Sequence, residues 1–172
     1  MPGSHEVEAF KYHLQPGFIF VSMDPALVST VIGTCVAVCL HDRRLKSGGM
    51  NHYFFPKAGR RQKTTPKFGN VAIMALIRMM VRNGSRLEDL EAQIFGGGSR
   101  SMTDGSSMGR KNVNMARKIL KKRGIPIVSE DVGGVKGRRV VFHTRTNEAI
   151  VMKTHRIRRG DWHPYRDRLA TN

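Results

Sequence analysis

Cysteine, acidic and aromatic residues are all scarce in this chain, and each shortage closes off a class of function. Two cysteines in 172 residues, Cys35 and Cys39, cannot build a disulfide framework. No apolar run is long enough to cross a bilayer and none has the form of a secretory leader, so the expected compartment is a reducing cytoplasm, with no membrane insertion. Aspartate and glutamate number 13 against 30 lysines and arginines, which gives a formal charge of +17 and a pI near 10.9. That excess predicts attraction to polyanions: nucleic acid, an anionic membrane surface or an acidic protein. Aromatics make up only 7%. The basic segments carry few of them for stacking on bases, and no nucleic-acid motif is present, so nucleic-acid binding ranks last among these classes.

What is present reads as an ordinary globular chain. Hydrophobic content of 40% and charged content of 25% fit one domain over residues 1–172, with a core over about 9–154 and a basic tail over about 155–172. Residues 9–14 and 18–22 flank the turn pair Pro16-Gly17 and read as short strands. Residues 26–40 are rich in β-branched side chains and broken by Gly33, which predicts two strand segments meeting at a kink or bulge. Lys46 to Gly49 reads as a turn and Met50 to Phe55 as the returning strand. The basic stretch 57–69 reads as an exposed loop, and Asn70 as the cap of a buried helix over 71–82 that Asn83-Gly84 closes. A strand over 90–95, a helix over 110–123 with one apolar and one basic face, and strands over 125–129, 138–143 and 149–154 follow. Strands outnumber helices and are often adjacent in sequence, which predicts an α+β layered sandwich of mixed sheets with helices outside.

Cys35 follows the Gly33-Thr34 step, where a tight backbone could aim its own N–H and that of a neighbour at a developing oxyanion. Cys39 shares its strand face and reads as a buried apolar residue. His52 opens the returning strand. Paired across the sheet with Cys35, it would serve as the base that turns a weakly nucleophilic thiol into a thiolate. A metal site from Cys35, Cys39, His41 and His52 is disfavoured, because four strand residues span roughly 13 Å while two sulfurs on one zinc lie within a few ångströms. His41, His5, His13, His143, His155 and His163 read as solvent-facing residues. The glycines at 96–98 lack the spacing of a phosphate loop and are expected to let backbone approach closely at the rim of a site. Glu130-Asp131 beside Gly133-Gly134 reads as a solvated loop.

Three blocks of sequence carry a resemblance. They are Gly33-Thr34-Cys35-Val36-Ala37-Val38, then Gly48-Gly49-Met50-Asn51-His52 with Phe55-Pro56, then the run from Ile94-Phe95-Gly96-Gly97-Gly98 through Gly124-Ile125-Pro126 and Glu130-Asp131-Val132-Gly133-Gly134 to Gly137-Arg138 and Thr144-Arg145-Thr146. Together they resemble the chemoreceptor glutamine deamidases called CheD. The resemblance implies a layered fold similar to that of toxin-type cysteine deamidases. It also implies conversion of receptor glutamines to glutamate, an accompanying hydrolysis of glutamyl methyl esters, and no metal or organic cofactor. The partners it implies are the cytoplasmic helices of chemoreceptors and a CheC-type phosphatase; it leaves the oligomeric state open. The family's catalytic pattern is a cysteine, a histidine and a threonine six residues before the cysteine. The first two fall on Cys35 and His52. The third position holds Ser29, with Thr30 beside it. Serine keeps the hydroxyl, so Ser29 is the expected partner of the imidazole; a bulge at Gly33 would hand that role to Thr30. A chain that had lost catalysis would instead act as an adaptor on receptors or on the phosphatase.

Overall fold

The structure is a computed structural model, and it describes residues 8–100 and 107–162. Among the described residues nine strands form two mixed sheets. Sheet A has four strands in the order β1(Phe10–His13), β3(Ala26–Ile32), β8(Gly137–His143), β9(Ala149–Thr154). Sheet B has five, in the order β2(Ile19–Ser22), β5(Ser47–Asn51), β4(Val36–Asp42), β6(Leu90–Gly96), β7(Ile127–Val132). The pairs β1/β3 and β6/β7 are parallel and the other neighbours antiparallel.

Two helices, α1(Gly69–Arg82) and α2(Met108–Lys122), cover one face of sheet B. The layers follow from alternation along the strands. Val36, Val38 and Leu40 point toward Ile73, Leu76, Val113 and Leu120 of the helices. Ala37 and Cys39 point the other way and meet Val28, Ile32, Val140 and Phe142 of sheet A. The result is the α+β sandwich of mixed sheets with outer helices. A short helix α3(Arg159–Trp162) lies against β3.

Local chemistry explains several boundaries. Ser107 caps α2 by accepting from the Arg110 N–H at 3.2 Å, as an N-cap hydroxyl does. Asn70 does not cap α1: the N-cap is Phe68, without a side-chain hydrogen bond, and the Gly69 and Asn70 N–H groups instead reach the carbonyls of Phe55 and Pro56. The turn after β4 falls at residues 43–46, so Gly48 and Gly49 lie inside β5. A Cβ on Gly49 would stand 2.6 Å from the Phe20 carbonyl oxygen and 2.9 Å from Leu76. Glycine is therefore required there by packing and not by a turn.

Candidate active site

The kink expected at Gly33 is a change of sheet. β3 ends at Ile32 in sheet A and β4 begins at Val36 in sheet B, so residues 33–35 carry the chain from one layer to the other. All three carbonyls of this crossover are held. Gly98 N–H donates to Gly33 O at 2.9 Å and Gly97 N–H to Cys35 O at 2.7 Å, and the Asn112 side-chain amide donates to Thr34 O at 3.1 Å. The glycine run thus packs backbone on backbone beside Cys35, as its composition suggested. Gly96 has φ +105°, and a Cβ there would collide with the Cys35 carbonyl, so no other residue fits.

His52 arrives from the opposite direction. β5 ends at Asn51, one residue before it, and His52 N–H and C=O bond to Phe18 O and Gly17 N–H at 3.3 and 2.8 Å. It therefore follows a strand and does not open one. Tyr53 and Val36 exchange backbone hydrogen bonds at 3.0 and 3.1 Å. That single antiparallel bridge sets the histidine's segment against the segment of Cys35.

Thr30 fixes the ring. Its Oγ1 lies 2.8 Å from Leu14 O and 2.7 Å from His52 Nδ1. A hydroxyl has one proton, and the Leu14 carbonyl can only accept it, so Oγ1 must accept from Nδ1–H. A neutral imidazole held in this way carries its lone pair on Nε2, as a general base requires. Thr30 is 1% exposed and His52 fully buried, so the bond is shielded from competing water.

Cys35 is half-buried at the edge of the inter-sheet core. Burial pushes its thiol up to about 12, against the opposing pull of its own backbone N–H, which favours the thiolate. Burial therefore favours the neutral thiol, and the proton would have to be drawn off by a base. Tyr53 is fully buried and donates to Asn112 O at 2.6 Å. Burial, and then the charge a Cys35 thiolate would carry, push its phenol up.

Other expected residues land elsewhere. Ser29 Oγ contacts His13 Nδ1 at 3.3 Å, on the opposite face of β3 from Thr30, because successive strand residues alternate. The expectation that Ser29 faces His52 is corrected accordingly. Cys39 is 1% exposed inside the inter-sheet core, and burial raises its thiol well above the usual range. His41 is buried, not solvated, and bonds Glu91 Oε1 at 3.2 Å and Arg145 O at 2.9 Å. Glu130 and Asp131 belong to β7 and not to a loop, and pair with Arg117 at 2.7 Å and Arg138 at 2.9 Å. Among the described residues no three His, Cys, Asp or Glu side chains gather as a metal site would need. His5, His163 and the tail beyond Trp162 lie outside the described residues.

Asn112 was not anticipated. The signal was available: an asparagine in the row Gly109, Val113, Ala116 and Leu120, which forms the buried face of α2, where apolar residues are the rule.

Thr34 and Gly33 open onto a cleft of about 390 Å³, walled by Gly98, Lys136, Ile157 and Trp162 among others. His155, Ile157 and Trp162 thus line the cleft beside residues 33 and 34. Ile157 packs against Gly137 so closely that a Cβ there would overlap it, and the Trp162 carbonyl meets His13 Nε2 at 3.1 Å.

A family model described as CheD chemotactic sensory transduction matches residues 55–153. "Probable chemoreceptor glutamine deamidase CheD 1" of Anaeromyxobacter dehalogenans is 39% identical over 141 residues, 81% of this chain and 82% of that protein. "Probable chemoreceptor glutamine deamidase CheD" of Sulfurimonas denitrificans is 35% identical over 84% of this chain and 95% of its own. The Caulobacter vibrioides protein of the same name is 42% identical over 78% and 73%.

Proposed function

The chain belongs to the CheD family, and from that premise we propose that it deamidates glutamine side chains of chemoreceptors by cysteine catalysis, acting in the cytoplasm as one deamidase-like domain. The observation that carries the residue assignment is the 2.7 Å contact between Thr30 Oγ1 and His52 Nδ1, which leaves the base nitrogen on the side away from Thr30. No helix among the described residues is long and apolar enough to cross a membrane.

Because burial holds the Cys35 thiol protonated, attack is coupled to proton transfer. The sulfur adds to the carboxamide carbon as its proton moves to His52 Nε2, and the Cys35 N–H, with a neighbour in the Gly33-Thr34 turn, receives the oxyanion. Collapse expels ammonia, which takes the proton back from His52, and leaves a thioester. His52 then draws a proton from water, hydroxide adds to the thioester, and glutamate and the Cys35 thiol are released. The same steps with methanol as leaving group would hydrolyse a glutamyl methyl ester. The cleft lined by Gly33 and Thr34, the two residues before Cys35, is where a receptor segment would approach.

Ser29 was the feature that pointed toward an adaptor without catalysis. With Thr30 holding the imidazole, that feature loses its weight. A CheC-type phosphatase remains the proposed regulatory partner.

The test is to incubate the full chain with a receptor signalling fragment and follow individual glutamines by mass spectrometry. A gain of about one dalton at specific glutamines, abolished in Cys35→Ala, supports the proposal. Binding of the fragment without any mass gain overturns it in favour of the adaptor.

A further inference from the structure

We infer that Asn112 is a positioning residue that sets the plane of the Thr34–Cys35 peptide and so aims the Cys35 N–H at the oxyanion. The inference rests on Cys35 being the nucleophile.

Asn112 is fully buried in the apolar row of α2. Its Nδ2 donates to Thr34 O at 3.1 Å and to Phe54 O at 2.8 Å. Both partners are carbonyls, which only accept, so the orientation of the amide is settled by chemistry. Its Oδ1 is buried and has no hydrogen-bond partner among the described residues, a cost that leucine at the same position would avoid. Helix packing alone therefore gives no reason for an amide here. The two carbonyls it holds do.

Those carbonyls bracket the chemistry. Thr34 is the residue before Cys35, and Phe54 lies two residues after His52. No cis peptide bond occurs among the described residues, and in a trans peptide the C=O and the following N–H point in opposite directions. Holding the Thr34 C=O against α2 therefore sends the Cys35 N–H away from the helix, toward its own sulfur, where it opposes the effect of burial on the thiol. A substrate carbonyl attacked by that sulfur would meet the same N–H. The second bond fixes where this turn sits relative to the histidine's segment, which is otherwise tied to it by the Val36/Tyr53 bridge. Asn112 touches no reacting atom and acts through the peptide it holds.

Two uncharged variants test this in the full chain. Asn112→Leu removes both N–H donors while keeping the branched outline at a larger volume, and Asn112→Ser keeps one hydroxyl that can reach at most one carbonyl. Leu120→Ala, two turns further along the same buried face, is the control for loss of stability alone. Two quantities are read: kcat and KM on a receptor signalling fragment, and the rate of Cys35 alkylation by iodoacetamide against pH, with the labelled cysteine identified by peptide mapping. Asn112→Leu is expected to lower kcat about 30-fold or more, the equivalent of two lost hydrogen bonds. KM should stay within about threefold, and the alkylation profile should move about one pH unit upward. Asn112→Ser should fall between this and wild type, while Leu120→Ala keeps both readouts near wild type despite a lower melting temperature. The inference is overturned if either Asn112 variant, folded, keeps the wild-type kcat and alkylation profile, or if Leu120→Ala loses as much. It falls equally if Asn112→Leu does not fold and Asn112→Ser behaves as wild type. A Cys35→Ala protein that still turns over would show in its own arm that the nucleophile is wrong, and would bring the inference down with it.

Discussion

Replacing Thr30 with valine removes one hydroxyl from a site 1% exposed to solvent and changes almost nothing else in shape. Two buried groups then lose their partner: the Leu14 carbonyl, 2.8 Å away, and the His52 Nδ1–H, at 2.7 Å. Leaving a buried polar group unpaired costs about 1–3 kcal/mol, so with two such groups the variant should be less stable by about 2–6 kcal/mol. For a chain of this size that lowers the melting temperature by roughly 5–25 °C. Activity should suffer further. A bond of the kind that holds the proton on Nδ1 contributes about 0.5–1.5 kcal/mol, and without it the imidazole samples the other tautomer and other ring angles. A kcat lower by about 10- to 100-fold is expected, with KM little changed. Thr30→Ser, which keeps the hydroxyl, should retain most activity. Ser29→Ala should be silent, since Ser29 serves His13. The assay is single-glutamine deamidation of a receptor fragment, followed by mass spectrometry at a temperature where circular dichroism reports full folding. A Thr30→Val protein with kcat within twofold of wild type, or a Ser29→Ala protein that loses as much, would refute the reasoning.

Cys35→Ala should abolish deamidation and stay folded, because its sulfur lies at the edge of the core, whereas Cys39→Ala should keep most activity and lose stability, because Cys39 is 1% exposed; a reversed outcome would exchange the roles of the two sulfurs. With its thiol raised to about 12 in the folded protein, Cys35 ionises first in the unfolded chain. Unfolding therefore releases a proton above pH 9, and stability falls as pH rises from about 9 toward 12, by about 1.4 kcal/mol at pH 10. Urea midpoints of Cys35→Ala should lack this increment, and parallel curves for both proteins would contradict it. The net charge of +17 should steer the chain to acidic receptor helices, so kcat/KM should fall from low to physiological salt while kcat holds. Changing Arg156 and Arg158 to glutamine should flatten that dependence, and a dependence left unaltered would locate the steering elsewhere.

Strand and helix positions were largely legible because alternation and helical periodicity are local properties. β3, β8 and β9 fall within a residue of where the pattern of β-branched side chains puts them. What local pattern could not supply is which sheet a strand joins. Phe10–His13 and Ile19–Ser22 flank a turn, yet they sit in different sheets, β1 beside β3 and β2 beside β5. Which of Ser29 and Thr30 faces His52 was not legible for a related reason. Counting six back from Cys35 leads to Ser29, but the face that meets His52 is the one carrying Val28, Thr30 and Ile32, and it is identified by burial against sheet B. His41 looked solvated because it stands at a strand end, but it is buried and bonded to Glu91 and to the Arg145 carbonyl, which comes from a distant turn. Asn112 was passed over because a helix face was read for its apolar members.

Within the pair formed by hydroxyl and imidazole, Thr30 comes from sheet A, while His52 continues from the end of a strand of sheet B. A contact of 2.7 Å across two layers works as a gauge of their spacing, with a tolerance of a few tenths of an ångström. Anything that slides or wedges the layers apart, such as heat, a bulky core substitution or a partner prying at the sandwich edge, would mistune the proton relay while every strand is still intact. On the proposed mechanism inactivation should therefore precede melting, and turnover would be a finer thermometer of this sandwich than its circular dichroism.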